Sequence, residues 1–267
     1  MSEKLSTEEI KKGYILRRSI RVIQKEGIIT FVKKSLTYIT KETIKVLFFP
    51  CALLRIKYFT HDNNLDKLVN FALNDFIVGK LIKPGQIQEE ILECLKIVDK
   101  IKPKIVLEIG TAGGGTLFLF SRVASEDATI ISIDLPGGEF GRGYPKWKIP
   151  LYKAFKLPKQ KLHLIRGNSH HQETLGKLKE LLGGEKLDFV FIDGDHTYEG
   201  VKKDFEMYSP LVKAGAIIAF HDIIVYPPED GCEVDKLWSE LKRNYNHREI
   251  IKEPKQNWGG IGMVYLR

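Results

Sequence analysis

Residues 104–134, KIVLEIGTAGGGTLFLFSRVASEDATIISID, decide the fold. KIVLEIG (104–110) is a short apolar run that stops at a glycine, GGTLFLFSRVA opens a helical pattern, and ATIISID (128–134) is a second apolar run that stops at an acid. Strands this apolar on both faces belong inside a parallel sheet, and the helix between them covers one side. The motif repeats outward. KLHLIRG (161–167), LDFVFIDG (187–194) and GAIIAFHD (215–222) are further apolar runs ending in polar or glycine clusters. A helical stretch at 86–98 precedes the first run, and others lie between or after the runs at 171–182, 197–212 and 233–245. HREIIKE (247–253) and GIGMVYLR (260–267) follow one another without a helix, which predicts an antiparallel ending. The expected fold is α/β: a Rossmann-like, mostly parallel seven-stranded sheet with helices on both faces and an antiparallel C-terminal strand, preceded by a helical N-terminal appendage.

Open sheets of this class bind ligands beyond the carboxyl ends of their strands. Those ends carry Glu108 and Gly110, Asp134, Asn168 and Ser169, Asp193 with Asp195 and His196, and His221 with Asp222. In the glycine run, Gly110, Gly113, Gly114 and Gly115 permit a tight turn and close approach of a ligand to backbone. Asp134, 24 residues after Gly110, suits the paired hydroxyls of a ribose. This spacing does not separate a dinucleotide from S-adenosylmethionine. Two features weigh against NAD: the run is not GxGxxG, and Glu108 would repel a pyrophosphate while suiting a positively charged amino acid moiety.

Asp193, Asp195, His196, His221 and Asp222 form a second constellation. Carboxylates and imidazoles at neighbouring strand ends suit a divalent cation such as Mg2+ or Mn2+, with Asp193 and Asp222 the preferred ligands and His196 or His221 as general base. The alternatives are structural: Asp195 serving the helix that begins at Thr197, and either histidine bonding within a loop. His170 and His171 read as structural. Residues 135–160, rich in Gly, Pro and aromatics and including Tyr144, Trp147 and Tyr152, read as a lid or binding wall, or else as a rigid surface loop.

Composition narrows the class. The chain has 267 residues, 43% hydrophobic and 28% charged, which excludes a disordered or fibrous protein. Cys51, Cys94 and Cys232 form no CxxC unit, so neither a disulfide framework nor a Cys-rich zinc site is favoured, and a reducing, cytoplasmic setting is expected. The net charge of +8 is uneven: residues 11–57 hold twelve Lys or Arg against two Glu, whereas 58–267 balance. A neutral body argues against nucleic acid as partner. The basic segment has helical apolar spacing, which fits packing on the body or on a second subunit of a homo-oligomer, or peripheral contact with an anionic membrane at its inner face. Its longest apolar run, 46–54, contains Pro50 and falls well short of the roughly 20 residues that span a bilayer. Nor does the MSEKLSTEEIKK opening have the apolar block of a secretory signal. The division expected is 1–83 for the basic helical segment and 84–267 for the catalytic domain.

Taken together, VLEIGTAGGGTL, ISIDLPGG, LIRGNSH, DFVFIDGDHTYEGVKKDFEMYSPLVKAGAIIAFHD and GIGMVYL resemble class I S-adenosylmethionine-dependent methyltransferases. The branch is the one grouped with cephalosporin-hydroxylase-like proteins and related to catechol-type O-methyltransferases. The resemblance, over roughly 84–267, implies that Glu108, Gly110, Thr111 and Gly113 lie beside the methionine part of the cofactor and that Asp134 binds its ribose. It places Asn168 and Ser169 near the adenine and matches Asp193 to the aspartate ending the fourth strand. In metal-dependent relatives that aspartate and a pair after the fifth strand hold magnesium; here the pair is His221 and Asp222, so Asp222 carries over and His221 departs from the pattern. His196 stands in the neighbourhood of the catechol-type lysine, implying histidine as base. The activity expected is O-methylation of a small polar acceptor, such as a glycan or secondary metabolite. The competing classes are an NAD-dependent oxidoreductase and a non-catalytic, membrane-associated scaffold that keeps the cofactor fold.

Overall fold

The structure is a computed structural model that describes residues 28–30, 47–137, 143 and 145–267. Two compact units divide the chain, 1–51 and 52–267. In the first, the described residues 28–30 and 47–51 are helical, and most of the basic segment read as amphipathic lies outside the described residues. No helix among the described residues is long and apolar enough to cross a membrane.

The second unit begins with helical residues 52–58, followed by α1 (Leu65–Asn74), α2 (Val78–Ile82) and α3 (Gln88–Ile101). Asn64 caps α1 by accepting the Lys67 amide at 2.9 Å. The ring of Phe59 stacks on that of Phe71 in α1, 3.8 Å between centroids, and Phe71 lies 5.8 Å from Phe118. Residues 59–74 are thereby fastened to the sheet's covering helix by apolar contact.

Alternation then begins: β1 (Ile105–Ile109), α4 (Gly115–Val123), β2 (Thr129–Asp134), the short α5 (Ile149–Lys153), β3 (Lys161–Arg166), α6 (Gln172–Leu182), β4 (Leu187–Ile192), α7 (Tyr198–Tyr208) and β5 (Val212–His221). After α8 (Val234–Asn244), β6 (Asn246–Ile250) and β7 (Ile261–Tyr265) close the sheet. The strand order is β3-β2-β1-β4-β5-β7-β6, with β1 to β5 parallel and β7 antiparallel to both β5 and β6. The expected seven-stranded mixed sheet is therefore present.

Burial explains the assignment. All five residues of β1 are buried, and β4 exposes only Asp188 in part. α7 ends at Tyr208, earlier than the helical pattern over 197–212 predicts, because Pro210 removes an amide donor and a 3-10 turn over Ser209–Leu211 intervenes. β5 accordingly starts at Val212. On the other face of the antiparallel end, Glu90 in α3 is nearly fully buried and accepts the amides of Lys252 (3.1 Å) and Gly260 (2.8 Å) and the side chain of Gln256 (2.6 Å). That single carboxylate ties the β6–β7 connection to α3.

The order of strands reverses between β1 and β4. Their carboxyl ends flank the crevice where ligands of such sheets bind.

Candidate active site

At the end of β1 the chain turns through Gly110, whose φ of +88° lies in the left-handed region. A Cβ there would stand 2.0 Å from the carbonyl oxygen of Asp193, so only glycine lets the ends of β1 and β4 approach this closely. Gly115 opens α4 under the same pressure: its Cβ would meet the Ile82 carbonyl oxygen at 2.3 Å.

Asp134 fastens this turn. Its Oδ2 accepts the amides of Thr111 (3.0 Å) and Ala112 (2.6 Å), and its Oδ1 accepts that of Leu135 (2.6 Å). Burial pushes the carboxyl up to about 6, and the three amides offset part of that rise. Glu108 is different. It is completely buried, neither oxygen makes a hydrogen bond, and burial pushes its carboxyl up to about 8 despite the nearby hydroxyls of Thr116 and Thr111. Glu108, Gly110, Thr111, Gly113 and Asp134 are thus gathered around one turn. The Asn168–Ser169 turn follows β3: Asn168 Oδ1 accepts the His170 amide at 2.8 Å, and the Tyr208 hydroxyl donates to the Ser169 carbonyl at 2.7 Å.

Across the crevice, the ends of β4 and β5 bring Asp193, His196, His221 and Asp222 into one cluster. His221 Nδ1 lies 3.2 Å from Asp193 Oδ1 and 3.3 Å from Asp222 Oδ1. His196 bridges the same carboxylates, Nε2 being 3.4 Å from Asp193 Oδ1 and Nδ1 3.3 Å from Asp222 Oδ2. Asp222 holds a φ of +62°, an uncommon conformation for a residue with a Cβ, and one that clusters at functional sites. The Tyr226 hydroxyl donates to its Oδ1 and accepts the Gly259 amide at 2.6 Å.

The electrostatics follow from this crowding. Burial works to raise the Asp193 carboxyl, but the charge and hydrogen bonds of His221 and His196 prevail and hold it well below the usual range. Burial would strip the protons from the imidazoles, yet Asp193 and Asp222 push His196 up to about 11 and His221 up to about 10. The two rings differ in access: the side chain of His196 is 32% exposed and that of His221 only 4%, with His221 Nε2 unpartnered.

Ligand atoms of Asp193, His221 and Asp222 all lie within 4.8 Å of one another, as do those of His196, Asp222 and Cys232. Two carboxylates and two imidazoles are the donor chemistry a divalent cation takes, so the residues present fit one.

Other expectations resolve structurally. Asp195 Oδ1 accepts the amide (3.0 Å) and hydroxyl (2.8 Å) of Thr197, bracing the residue that caps α7. His170 Nε2 lies 3.3 Å from the fully buried Asp204 and 3.1 Å from the Gly200 carbonyl, a structural role as expected. The reading of 135–160 as a lid falls partly on 138–142 and 144, outside the described residues. Within its described part, Tyr152 is buried and its hydroxyl donates to the Ala112 carbonyl at 2.9 Å.

Gln86 was not singled out by the sequence, yet its Nε2 donates to Asp193 Oδ2 at 2.7 Å while its Oε1 is buried without a partner. It also lines an open cavity of about 460 Å3 with Lys83, Gln88 and Trp258. Nothing in its surroundings marks it: it precedes α3 by two residues and meets a carboxylate 107 positions away. Tyr226 likewise lies in an irregular stretch without a motif.

Residues 107–223 match the family model described as a methyltransferase domain. Tapetum-specific methyltransferase 1 of Arabidopsis thaliana is 31% identical over 148 residues, which cover 55% of this chain and 58% of the relative. An uncharacterised protein of Sinorhizobium fredii is 26% identical over 172 residues, 63% of this chain and 18% of the relative. The chain therefore spans less than two thirds of the length of these curated relatives. Among solved structures, an O-methyltransferase from Bacillus cereus in complex with SAH has a TM-score of 0.51 at 18% identity, covering 79% of this chain and 93% of that one. The O-methyltransferase TomG from Streptomyces achromogenes, in complex with SAM, has a TM-score of 0.52 at 17% identity, covering 79% and 92%. At these identities the likeness is one of fold.

Proposed function

We propose that this chain, whose residues 107–223 match the model of a methyltransferase domain, is a class I S-adenosylmethionine-dependent enzyme that transfers the methyl group of S-adenosylmethionine to an oxygen of a small polar acceptor, such as a glycan or secondary metabolite. The observation that carries the reading is the pairing, across one crevice, of the Asp134-fastened glycine turn with the Asp193–His196–His221–Asp222 cluster. The catalytic domain is taken as 84–267 and the segment before it as 1–83.

In this reading Asp134 accepts a ribose hydroxyl at Oδ1, the oxygen that takes only one of the three backbone amides. Asn168 and Ser169 flank the adenine. Glu108, Gly110, Thr111 and Gly113 receive the methionine moiety, whose ammonium group supplies Glu108 with the partner its buried carboxyl lacks. Asp193 borders both halves, since its backbone touches Gly110 and its carboxylate belongs to the cluster.

Asp193 and Asp222 would hold a divalent cation such as Mg2+ or Mn2+. When bound, such an ion supplies Lewis-acid chemistry and offsets the carboxylate charge that otherwise keeps protons on both imidazoles. His196, the more exposed ring, takes the acceptor's hydroxyl proton, and Asp193 and Asp222, 3.4 and 3.3 Å from its ring nitrogens, stabilise the imidazolium that results. His221, buried between the two carboxylates, fixes their separation. Bound S-adenosylmethionine would supply an electrophilic methyl group, and the crevice would supply much of the rate by aligning the acceptor oxygen behind it.

Calorimetry with S-adenosylmethionine tests the donor assignment. Asp134→Ala should weaken binding about 10- to 100-fold, the loss of one charge-assisted hydrogen bond and of the anchor that holds the Thr111 and Ala112 amides. Unchanged affinity would remove the cofactor from this turn, and NADH binding in its place would favour an oxidoreductase.

A further inference from the structure

Arg122 lies at the last turn of α4, which leaves the glycine turn at Gly115 and runs for nine residues, about 13 Å, toward the amino ends of the strands. It is only 8% exposed. Its Nη2 donates to the Ile56 carbonyl at 2.8 Å and its Nη1 to the Phe59 carbonyl at 3.2 Å, and the guanidinium lies 5.0 Å from the Phe118 ring centre. No carboxylate among the described residues pairs with it, and its Nε has no partner. A guanidinium this buried is ordinarily matched by an anion, because carbonyl dipoles and a ring face balance only part of its charge. Burial lowers its pKa to about 10, so the charge persists at neutral pH.

Arg122 forms part of the wall of an open cavity of about 600 Å3. Lys57, Lys153 and Lys156 also line it, all exposed, and none has a carboxylate partner among the described residues. The acidic residue of the wall, Asp62, is already held by Lys67 at 2.7 Å. His61 adds a buried Nδ1 without a partner. Burial, with the charge of Arg122 adding to it, holds this imidazole below its ordinary value, so it stands neutral at pH 7.

Four cations, one neutral imidazole and one occupied carboxylate converge on this space. The body of the protein is otherwise balanced in charge, so the concentration is local. It also lies at the opposite end of α4 from the turn assigned to the cofactor, so the proposed methyl transfer makes no use of it.

We propose that this cavity binds a phosphate monoester group, carried either by a lipid headgroup or by a small soluble metabolite. Three mobile ammonium groups suit the oxygens of a dianion, and the fixed charge of Arg122 behind them favours a doubly charged ligand over a single carboxylate. The volume exceeds that of phosphate and leaves room for a glycerol- or sugar-sized carrier. A phosphate bound there would bridge residues 57–63, which join the helical residues 52–58 to α1, and residues 153–158 before β3.

The test uses the full chain and two probes: glycerol 3-phosphate, by calorimetry, and phosphatidylcholine vesicles with or without phosphatidate, by sedimentation. Binding of either phosphate probe should weaken about tenfold or more in a Lys153→Ala, Lys156→Ala double variant, roughly 1.4 kcal/mol. A Lys100→Ala, Lys203→Ala variant, which removes the same charge elsewhere, should bind as the parent does. Lysine-dependent binding of phosphatidate vesicles alone identifies a lipid source, and of glycerol 3-phosphate a soluble one. Arg122→Gln should abolish binding wherever circular dichroism shows it folded. The proposal is overturned if neither probe binds the parent chain, or if both double variants lose binding equally.

Discussion

The two banks of the crevice solve the problem of holding a charged ligand in opposite ways. On the β1–β2 side the site is made of backbone: a left-handed glycine, two turn amides on Asp134, and a Glu108 that burial keeps largely protonated at neutral pH. On the β4–β5 side it is made of ionised side chains, two carboxylates interleaved with two imidazoles at 3.2–3.4 Å. The first bank is shaped before any ligand arrives and has little charge to rearrange. The second stores charge that a proton or cation can exchange. One bank is suited to recognition and the other to chemistry.

The sharpest way to break that contrast is His196→Gln. It should lower kcat about 1000-fold, the scale of a lost general base, while calorimetry finds S-adenosylmethionine affinity unchanged. Loss of cofactor binding in this variant would mean that the two banks do not divide the work.

Gly110→Ala attacks both banks at once. A left-handed φ and a Cβ 2.0 Å from the Asp193 carbonyl should cost about 3 kcal/mol or more, lowering Tm by roughly 10 °C. A variant that melts with the parent would show that the strand ends separate easily.

The gentlest probe is Glu108→Gln. The folded chain binds a proton at Glu108 more tightly than the unfolded chain does, so the native state retains protons the unfolded state has released. Its contribution to stability is full below about 4.5, falls as pH rises, and is exhausted above about 8. Thermal melts from pH 5 to 9 should therefore show a decline in the parent that Glu108→Gln flattens, with little difference between the two near pH 5. Parallel curves would mean that Glu108 is ionised within the fold.

What the sequence made legible was periodic or adjacent. The run KIVLEIG, the glycines after it and Asp134 at the next strand end announce a turn and its anchor, because strand, turn and helix follow one another along the chain. The cluster was legible for a related reason: parallel strands deliver their terminal residues to one edge, so Asp193 and Asp222 had to be neighbours once β4 paired with β5. Gln86 was not, since its hydrogen bond to Asp193 depends on how α3 seats against the sheet, which no local pattern encodes. Arg122 hid inside a helix whose apolar pattern reads as ordinary packing, GTLFLFSRV. Its missing counter-charge is a fact of three-dimensional surroundings. The helix read over 197–212 stopped short at Pro210 because local backbone chemistry overrode the apolar spacing.

The position of β7 between β5 and β6 has a consequence for how the molecule comes into being. β6 precedes β7 in the chain but has no strand to pair with until β7 has been made, so during synthesis it emerges as an orphan. β5 meanwhile presents a bare edge beside the acidic cluster. The sheet is therefore completed from the outside inward by its last-made strand, and the bank of the crevice that holds the Asp193–His221–Asp222 cluster is the last to acquire its neighbour.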